Sequence, residues 1–342
     1  MVFSEPEINA FLTSRRAALD PDSVGLPEGV TRRRVRGLRR EEVAQLAGIS
    51  VDYYTRIEQG RAHAISDAVL DAVARALRLT PAEHTYLRNI TQMRRRVPGG
   101  SGGAGGGCSV ATGPHPGERA ARQRVRPQVR QLLDALDDTV PAFVYGPAMD
   151  ILAWNRLAGL VGFDLAAIPE AERNAARLVF LHPDARDLHP DWEQLAEETV
   201  AALRAEAGRH PEDPWLCRLV GELLERSDDF RRHWEAQAVT ERTHGTKRIR
   251  NPRVGELRVT YEVLLLPTDE GQMLCTYTAE RGSRTERALR ALAASGATAP
   301  AEATAVDGAA VDEPRDVASG VEARGAAEAA GRAEAAVRVG AR

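Results

Sequence analysis

The chain has 342 residues, 43% hydrophobic and 28% charged, enough for packed cores and for two domains with unstructured extras. No apolar run approaches the ~20 residues of a membrane span, and no basic-plus-apolar signal precedes a cleavage site; the expectation is a cytoplasmic protein with no membrane partner. The net charge of −3 alone argues against nucleic acid, but residues 1–97 hold 16 arginines against 12 acidic residues, whereas the remainder holds 30 basic and 37 acidic.

Helical spacing of Ile8, Phe11, Leu12 and Leu19 predicts a first helix over Glu5 to Leu19. A loop with Gly25, Pro27 and Gly29 comes next. The stretch Thr31 to Arg40 then concentrates Arg32, Arg33, Arg34, Arg36, Arg39 and Arg40. A second helix fits Arg39 to Ala47, and Gly48 supplies the left-handed turn after it. Ser50 caps a third helix, Val51 to Gln59, which Gly60 stops. Ser66 caps a fourth over Asp67 to Leu79, and Thr80-Pro-Ala-Glu83 is a capping box that opens a fifth.

The run Leu38 to Gly60, LRREEVAQLAGISVDYYTRIEQG, resembles the helix-turn-helix core of the phage-repressor-like (Cro/CI, XRE) family. Ala44, Gly48, Ile49, Ile57, Glu58 and Gly60 stand where that pattern expects them. The resemblance implies a bacterial transcription regulator that binds double-stranded DNA, as a homodimer, through a five-helix domain over 1–97. The third helix of that family enters the major groove. Position by position, Val51, Asp52 and Arg56 become base readers, with Tyr53 and Thr55 near bases or phosphates. Arg56 suits guanine, and Val51 a thymine methyl; Asp52 either accepts from cytosine or orients an arginine. Arg40 and Ser50 are expected on phosphates, and Arg32, Arg33 and Arg34 are expected to bind DNA electrostatically whatever its sequence. Arg39 departs from the Ser or Thr cap common in the family, and its side chain cannot accept an amide hydrogen bond; a second arginine at the DNA backbone is the exchange. Tyr54 reads as core, and Arg16 with Glu58 as a structural ion pair.

Residues 98–125 read as a flexible linker, Gly-rich with prolines, too poor in apolar surface to offset its ordering entropy. Its length suggests loose coupling between the two domains. From Ser295 to Arg342 the Ala/Gly-rich sequence without aromatics reads as a disordered tail.

Between them, 126–294 reads as an α+β domain: a helix over Pro127 to Asp137, then a hairpin of Ala142–Tyr145 and Ile151–Trp154. A helix capped by Asn155 comes after the hairpin, then amphipathic helices at Pro190–Glu206, Pro214–Glu225 and Asp228–Ala236. Strands are predicted near 246–250, 256–266 and 272–279. Alternation of Leu257, Val259, Tyr261, Val263 and Leu265 with polar residues fits an antiparallel sheet covered by helices on one face. Phe143, Tyr145, Leu152, Trp154, Phe180, Val263, Leu265, Met273 and Tyr277 either line a pocket or fill a core. Trp154-Asn155 near the start, with Gly-Thr-Lys-Arg, Gly-Glu-Leu and Tyr-Thr-Ala-Glu near the end, resembles the ligand-binding domain of MmyB-like regulators, which is PAS-like. That resemblance implies a fatty-acid-like ligand, for which Lys247 and Arg248 are candidate headgroup anchors.

No catalytic, metal or cofactor site is expected. His182 and His189 are seven apart, but Pro183 and Pro190 break the helix that would align them. Cys108, Cys217 and Cys275 are an odd, scattered set, and no Gly-x-Ser-x-Gly, Walker or His-Glu-x-x-His motif occurs. The competing reading of the second domain is an interaction or dimerisation module without a small molecule. Lys247 is the single lysine beside 45 arginines, a bias that points to a GC-rich genome.

Overall fold

The computed structural model describes residues 5–24, 37–62, 65–96, 124–136, 139–211, 213–269 and 271–296. The basic residues Arg32, Arg33 and Arg34, most of the Gly-rich segment and all but the start of the Ala-rich tail lie outside these residues.

The N-terminal part is helical: α1 (Glu5–Ala18), α2 (Arg40–Ala47), α3 (Val51–Glu58), α4 (Asp67–Ala76) and α5 (Pro81–Arg96). Phe11, Leu12, Leu38, Val43, Tyr54, Ile57, Leu70 and Leu87 form one fully buried core, which places Tyr54 there as its position implied. The helix ends arise from local chemistry. Gly48 ends α2 at φ +68°, and Ile49 N–H reaches back to the Ala44 carbonyl at 3.0 Å. Ser50 accepts from Tyr53 N–H at 3.2 Å, and Ser66 from Val69 N–H at 3.3 Å. At α5 the box closes both ways: Glu83 accepts from Thr80 N–H at 2.8 Å, Thr80 from Glu83 N–H at 3.3 Å. At Arg39 half a box survives the loss of a side-chain acceptor, because Glu42 accepts from its backbone N–H at 2.6 Å.

The second part opens with α6 (Pro127–Ala135), β1 (Ala142–Tyr145), β2 (Ile151–Trp154) and α7 (Arg156–Val161). Then come α8 (Ala175–Leu181), α9 (Ala185–Leu188), α10 (Trp192–Arg209), α11 (Pro214–Arg226) and α12 (Asp228–Glu235). Strands β3 (His244–Asn251), β4 (Gly255–Leu265) and β5 (Met273–Thr278) and helix α13 (Arg284–Gly296) complete it. The strands form one antiparallel sheet in the order β2-β1-β5-β4-β3. One face packs on α7, α8 and α13 through Leu157, Leu178, Leu289 and Leu292. The other face is not bare where the sequence suggested: α6 lays Val129 and Leu133 on Val144, Ala153 and Leu274. Only β3 and β4 keep the one-sided alternation. Helix α13, not among the predicted elements, is amphipathic and supplies much of the cover.

Helix α10 is buried on nearly every side, from Leu195 to Gly208, which requires partners all round. On one side these are α11 and α12, through Val200, Leu203 and Trp215. On the other side the partner is the N-terminal helical part. Ala205 and Val239 belong to its hydrophobic core. Gly208 lies so close to Tyr86 that a Cβ there would run into the ring. Arg204, fully buried, pairs with Glu7 of α1, donates to the Trp234 carbonyl and stacks on the Trp234 ring at 4.0 Å. Tyr86 donates to the same Glu7 carboxylate at 2.7 Å. Arg15 donates to the Ala236 and Gln237 carbonyls at 3.3 and 3.2 Å. Loose coupling, expected from the Gly-rich segment, is therefore not what the described residues adopt: the contacts that join the two parts come from α10 and the loop after α12.

Candidate functional site

Two surfaces gather the residues that sequence reading singled out. The first is the outer face of α3. Val51 is 44% exposed, and Asp52 and Arg56 are exposed beside it, joined as an i,i+4 ion pair at 3.4 Å. That pair is the geometry that orienting an arginine would use. Thr55 turns its hydroxyl to the Val51 carbonyl at 2.8 Å, and Tyr53 packs partly against the helical core. Behind this face sits Glu58, 0% exposed, held by Arg16 at 3.1 Å and Arg40 at 2.8 Å. Thr13 donates to it at 3.4 Å. Arg16 also donates to the Leu38 carbonyl at 2.8 Å, tying α1 to the start of α2. Arg40 is thus committed to Glu58 while its side chain stays 44% exposed, so one guanidinium joins a buried anion to the surface. Burial alone would raise the Glu58 carboxyl, but hydrogen bonds and charge from Arg16 and Arg40 overrule it and hold it below 4.5.

The second surface is a cavity of about 70 Å³ between the sheet and helices α7, α8 and α10, room for about five water molecules. Phe143, Tyr145, Ile249 and Tyr277 form its sheet wall, and Val161, Leu178, Val179 and Leu195 its helix wall. Three nitrogen-bearing side chains reach this apolar space: His189, Arg242 and Lys247. Lys247 extends from β3 across β4 to bond the Tyr277 hydroxyl on β5, and lies over that ring at 4.1 Å. Arg242 lies over Tyr261 at 5.2 Å. Among the described residues neither Arg242 nor Lys247 is ion-paired with a carboxylate. Burial, then the charges of Lys247 and Arg242, push His189 down to about 4, so it is neutral near pH 7. Burial likewise pushes the Tyr277 phenol well up, which keeps its proton in place.

Of the pocket residues named from sequence, the structure brings Phe143, Tyr145, Lys247 and Tyr277 together. The others fall elsewhere, for local reasons. Pairing of Tyr145 with Ile151 and of Val144 with Ala153 leaves Leu152 as the extra residue of a bulge. That bulge turns Leu152 to the α6 side, so simple alternation misassigns it. Trp154 stays on the cavity face of the sheet but packs on Gly159 and under Arg173. Phe180 points away, edge-on to Trp192 and Phe230. Val263, Met273 and Leu265 keep the inward parity but are not in the cavity lining: Val263 packs at the margin of the core, and Leu265 is 74% exposed. Arg248 does not line this cavity, and its guanidinium pairs with Asp191 and Glu256. The cation that sequence reading missed is Arg242. It stands in the loop before β3, where no periodicity marks a side chain as inward.

Among the described residues no group of three His, Cys, Asp or Glu side chains could hold a metal ion, and no helix is long and apolar enough to cross a membrane. Residues 13–87 match the model of a helix-turn-helix domain, and residues 125–292 that of the MmyB-like transcription regulator ligand binding domain. Both families are regulatory rather than enzymatic. No curated protein sequence matches the chain.

Proposed function

The chain belongs to the transcription regulators that carry a helix-turn-helix domain and an MmyB-like ligand-binding domain, and we propose that an acyl-chain carboxylate bound in the sheet-helix cavity controls its hold on DNA. The reading rests on Arg242, a permanent cation beside Lys247 at an apolar cavity, with no carboxylate ion-paired to it among the described residues. A half-buried cation held against apolar walls without an anion is costly, and a ligand carboxylate would lower that cost. The lining side chains suit an aliphatic tail, with few polar groups to orient it. The cavity is too small for a long chain as it stands, so entry must displace the helix wall. Leu195 in that wall belongs to α10, the helix whose other end holds the DNA-binding part through Arg204 and Gly208. A displaced α10 is the route from ligand to DNA. The ligand regulates only insofar as it favours one arrangement of α10 over another.

A thermal-shift series of saturated fatty acids, from butanoate to palmitate, tests the pocket. Each buried methylene contributes ~0.8 kcal/mol, so stabilisation should climb with chain length and level off when the opened cavity is full. No stabilisation at any length would leave the second domain as an interaction module.

On the DNA side, α3 lies in the major groove of each half-site, and two chains bind as a homodimer. Arg56 then reads a guanine, released from Asp52 or steered by it. Arg56→Ala should cost ~1–3 kcal/mol on the preferred site and relax the preference at one base pair. A titration that finds sequence preference intact in this variant removes Arg56 from the readers.

A further inference from the structure

Lysine occurs once in 342 residues, beside 45 arginines, and that one side chain enters the cavity. The exchange of lysine for arginine elsewhere costs a surface cation little, since both remain charged. Arginine cannot shed its proton; lysine can, and then becomes a nucleophile. A permanent cation is already present at this cavity in Arg242, so charge alone does not explain why position 247 is lysine. We propose that Lys247 is a reactive amine and that the cavity takes aliphatic aldehydes, which Lys247 holds as a Schiff base.

The proposal rests on the reading that an apolar chain enters this cavity. The surroundings favour a neutral Nζ. Arg242 repels an ammonium there, His189 is uncharged, and the Tyr261 and Tyr277 ring faces, at 5.6 and 4.1 Å, only partly replace lost water. Cys275 and Tyr145 complete the ring of titratable groups, and burial keeps both protonated. The carboxylates on this side are Glu198 of α10, which accepts from Gln194 at 2.8 Å, and Asp191, which is paired with Arg248. Burial first, and Arg242 second, push the Lys247 amine down to about 7.

The chemistry needs no further reagent. The Nζ lone pair forms a C–N bond as the carbonyl π bond breaks onto oxygen, and one Nζ proton moves to that oxygen. The second Nζ proton leaves with the hydroxyl as water, and C=N remains. The Tyr277 hydroxyl, hydrogen-bonded to Nζ, is placed to relay a proton between nitrogen and oxygen.

Decanal with sodium cyanoborohydride, applied to the full chain, tests this by intact mass and peptide mapping. The only competing amine is the chain's α-amino terminus, which serves as the internal reference. At pH 7 an amine of pKa about 7 is half neutral and an α-amino group of pKa ~7.7–8.0 only about a tenth to a sixth, so Lys247 should be alkylated ~3–5-fold faster than the terminus, the reverse of the order for an ordinary lysine of pKa ~10.4. Its rate should rise through pH 7 rather than through pH 10. Decanoate should slow it, and unfolding in urea should reverse the order of the two amines. Labelling of the terminus alone, or Lys247 labelled no faster folded than unfolded, overturns the proposal. If decanoate still raises the melting temperature in that case, the carboxylate reading of the cavity stands without the imine. If decanoate has no effect either, both fail.

Discussion

Glu58→Ala will melt the N-terminal helices ~3–5 kcal/mol early and abolish DNA binding without touching DNA. The Glu58 side chain is fully buried and neutralises Arg16, itself only 13% exposed, together with Arg40. Removing one partner of a buried pair leaves the other charges uncompensated, which is the expensive way to break it. Arg16 also holds the Leu38 carbonyl, so its release loosens the entry to α2 as well. The pH dependence has a defined sign. The carboxyl is held below 4.5 in the fold, so its contribution is complete above 4.5 and is lost as pH falls through the lowered value. Urea titrations of wild type and Glu58→Gln should therefore converge in acid. A Glu58→Ala protein with wild-type stability but no DNA binding would place Glu58 in the interface instead.

The second large effect is expected at Arg204. Arg204→Ala strips the Glu7 carboxylate and the Trp234 carbonyl of a buried donor and opens a cavity beside Trp234. A loss of ~3–5 kcal/mol should result, concentrated in the contact between the two parts. Calorimetry should then resolve two transitions where wild type shows one. Glu7→Gln should cost less on the Arg204→Met background than alone, because the charge it removes there is already unpaired. A single, unshifted transition in Arg204→Ala would show that α10 does not hold the parts together.

How much of this was readable from sequence depends on the range of the signal. The caps at Ser50, Ser66 and Thr80 and the turn at Gly48 are local, and each stands where the residues placed it. Glu58 with Arg16 came from a family pattern and is present. The parity of β4 identified Leu257, Val259 and Tyr261 as inward, and they are buried. Parity failed at Leu152, where a one-residue bulge shifts the register and nothing in ILAW announces it. It failed again at Leu265, because how far a helix covers a strand is a tertiary fact. Arg248 and Lys247 looked equivalent side by side, yet adjacent strand residues face opposite ways, and only one enters the cavity. Arg242 and the Glu7–Arg204 pair were invisible for a similar reason. Charged residues read as solvated unless the chain's folding closes over them, and Glu7 and Arg204 are 197 positions apart.

If occupancy of the cavity changes the hold of α3 on DNA, a single titration will register it. The full chain is titrated onto a DNA fragment selected from a random library, at fixed salt, with and without saturating decanoate. Kd should change at least ~10-fold, about 1.4 kcal/mol of coupling, and the response should disappear in Arg242→Met. A decanoate-stabilised protein whose Kd for DNA is unchanged would uncouple the cavity from α3.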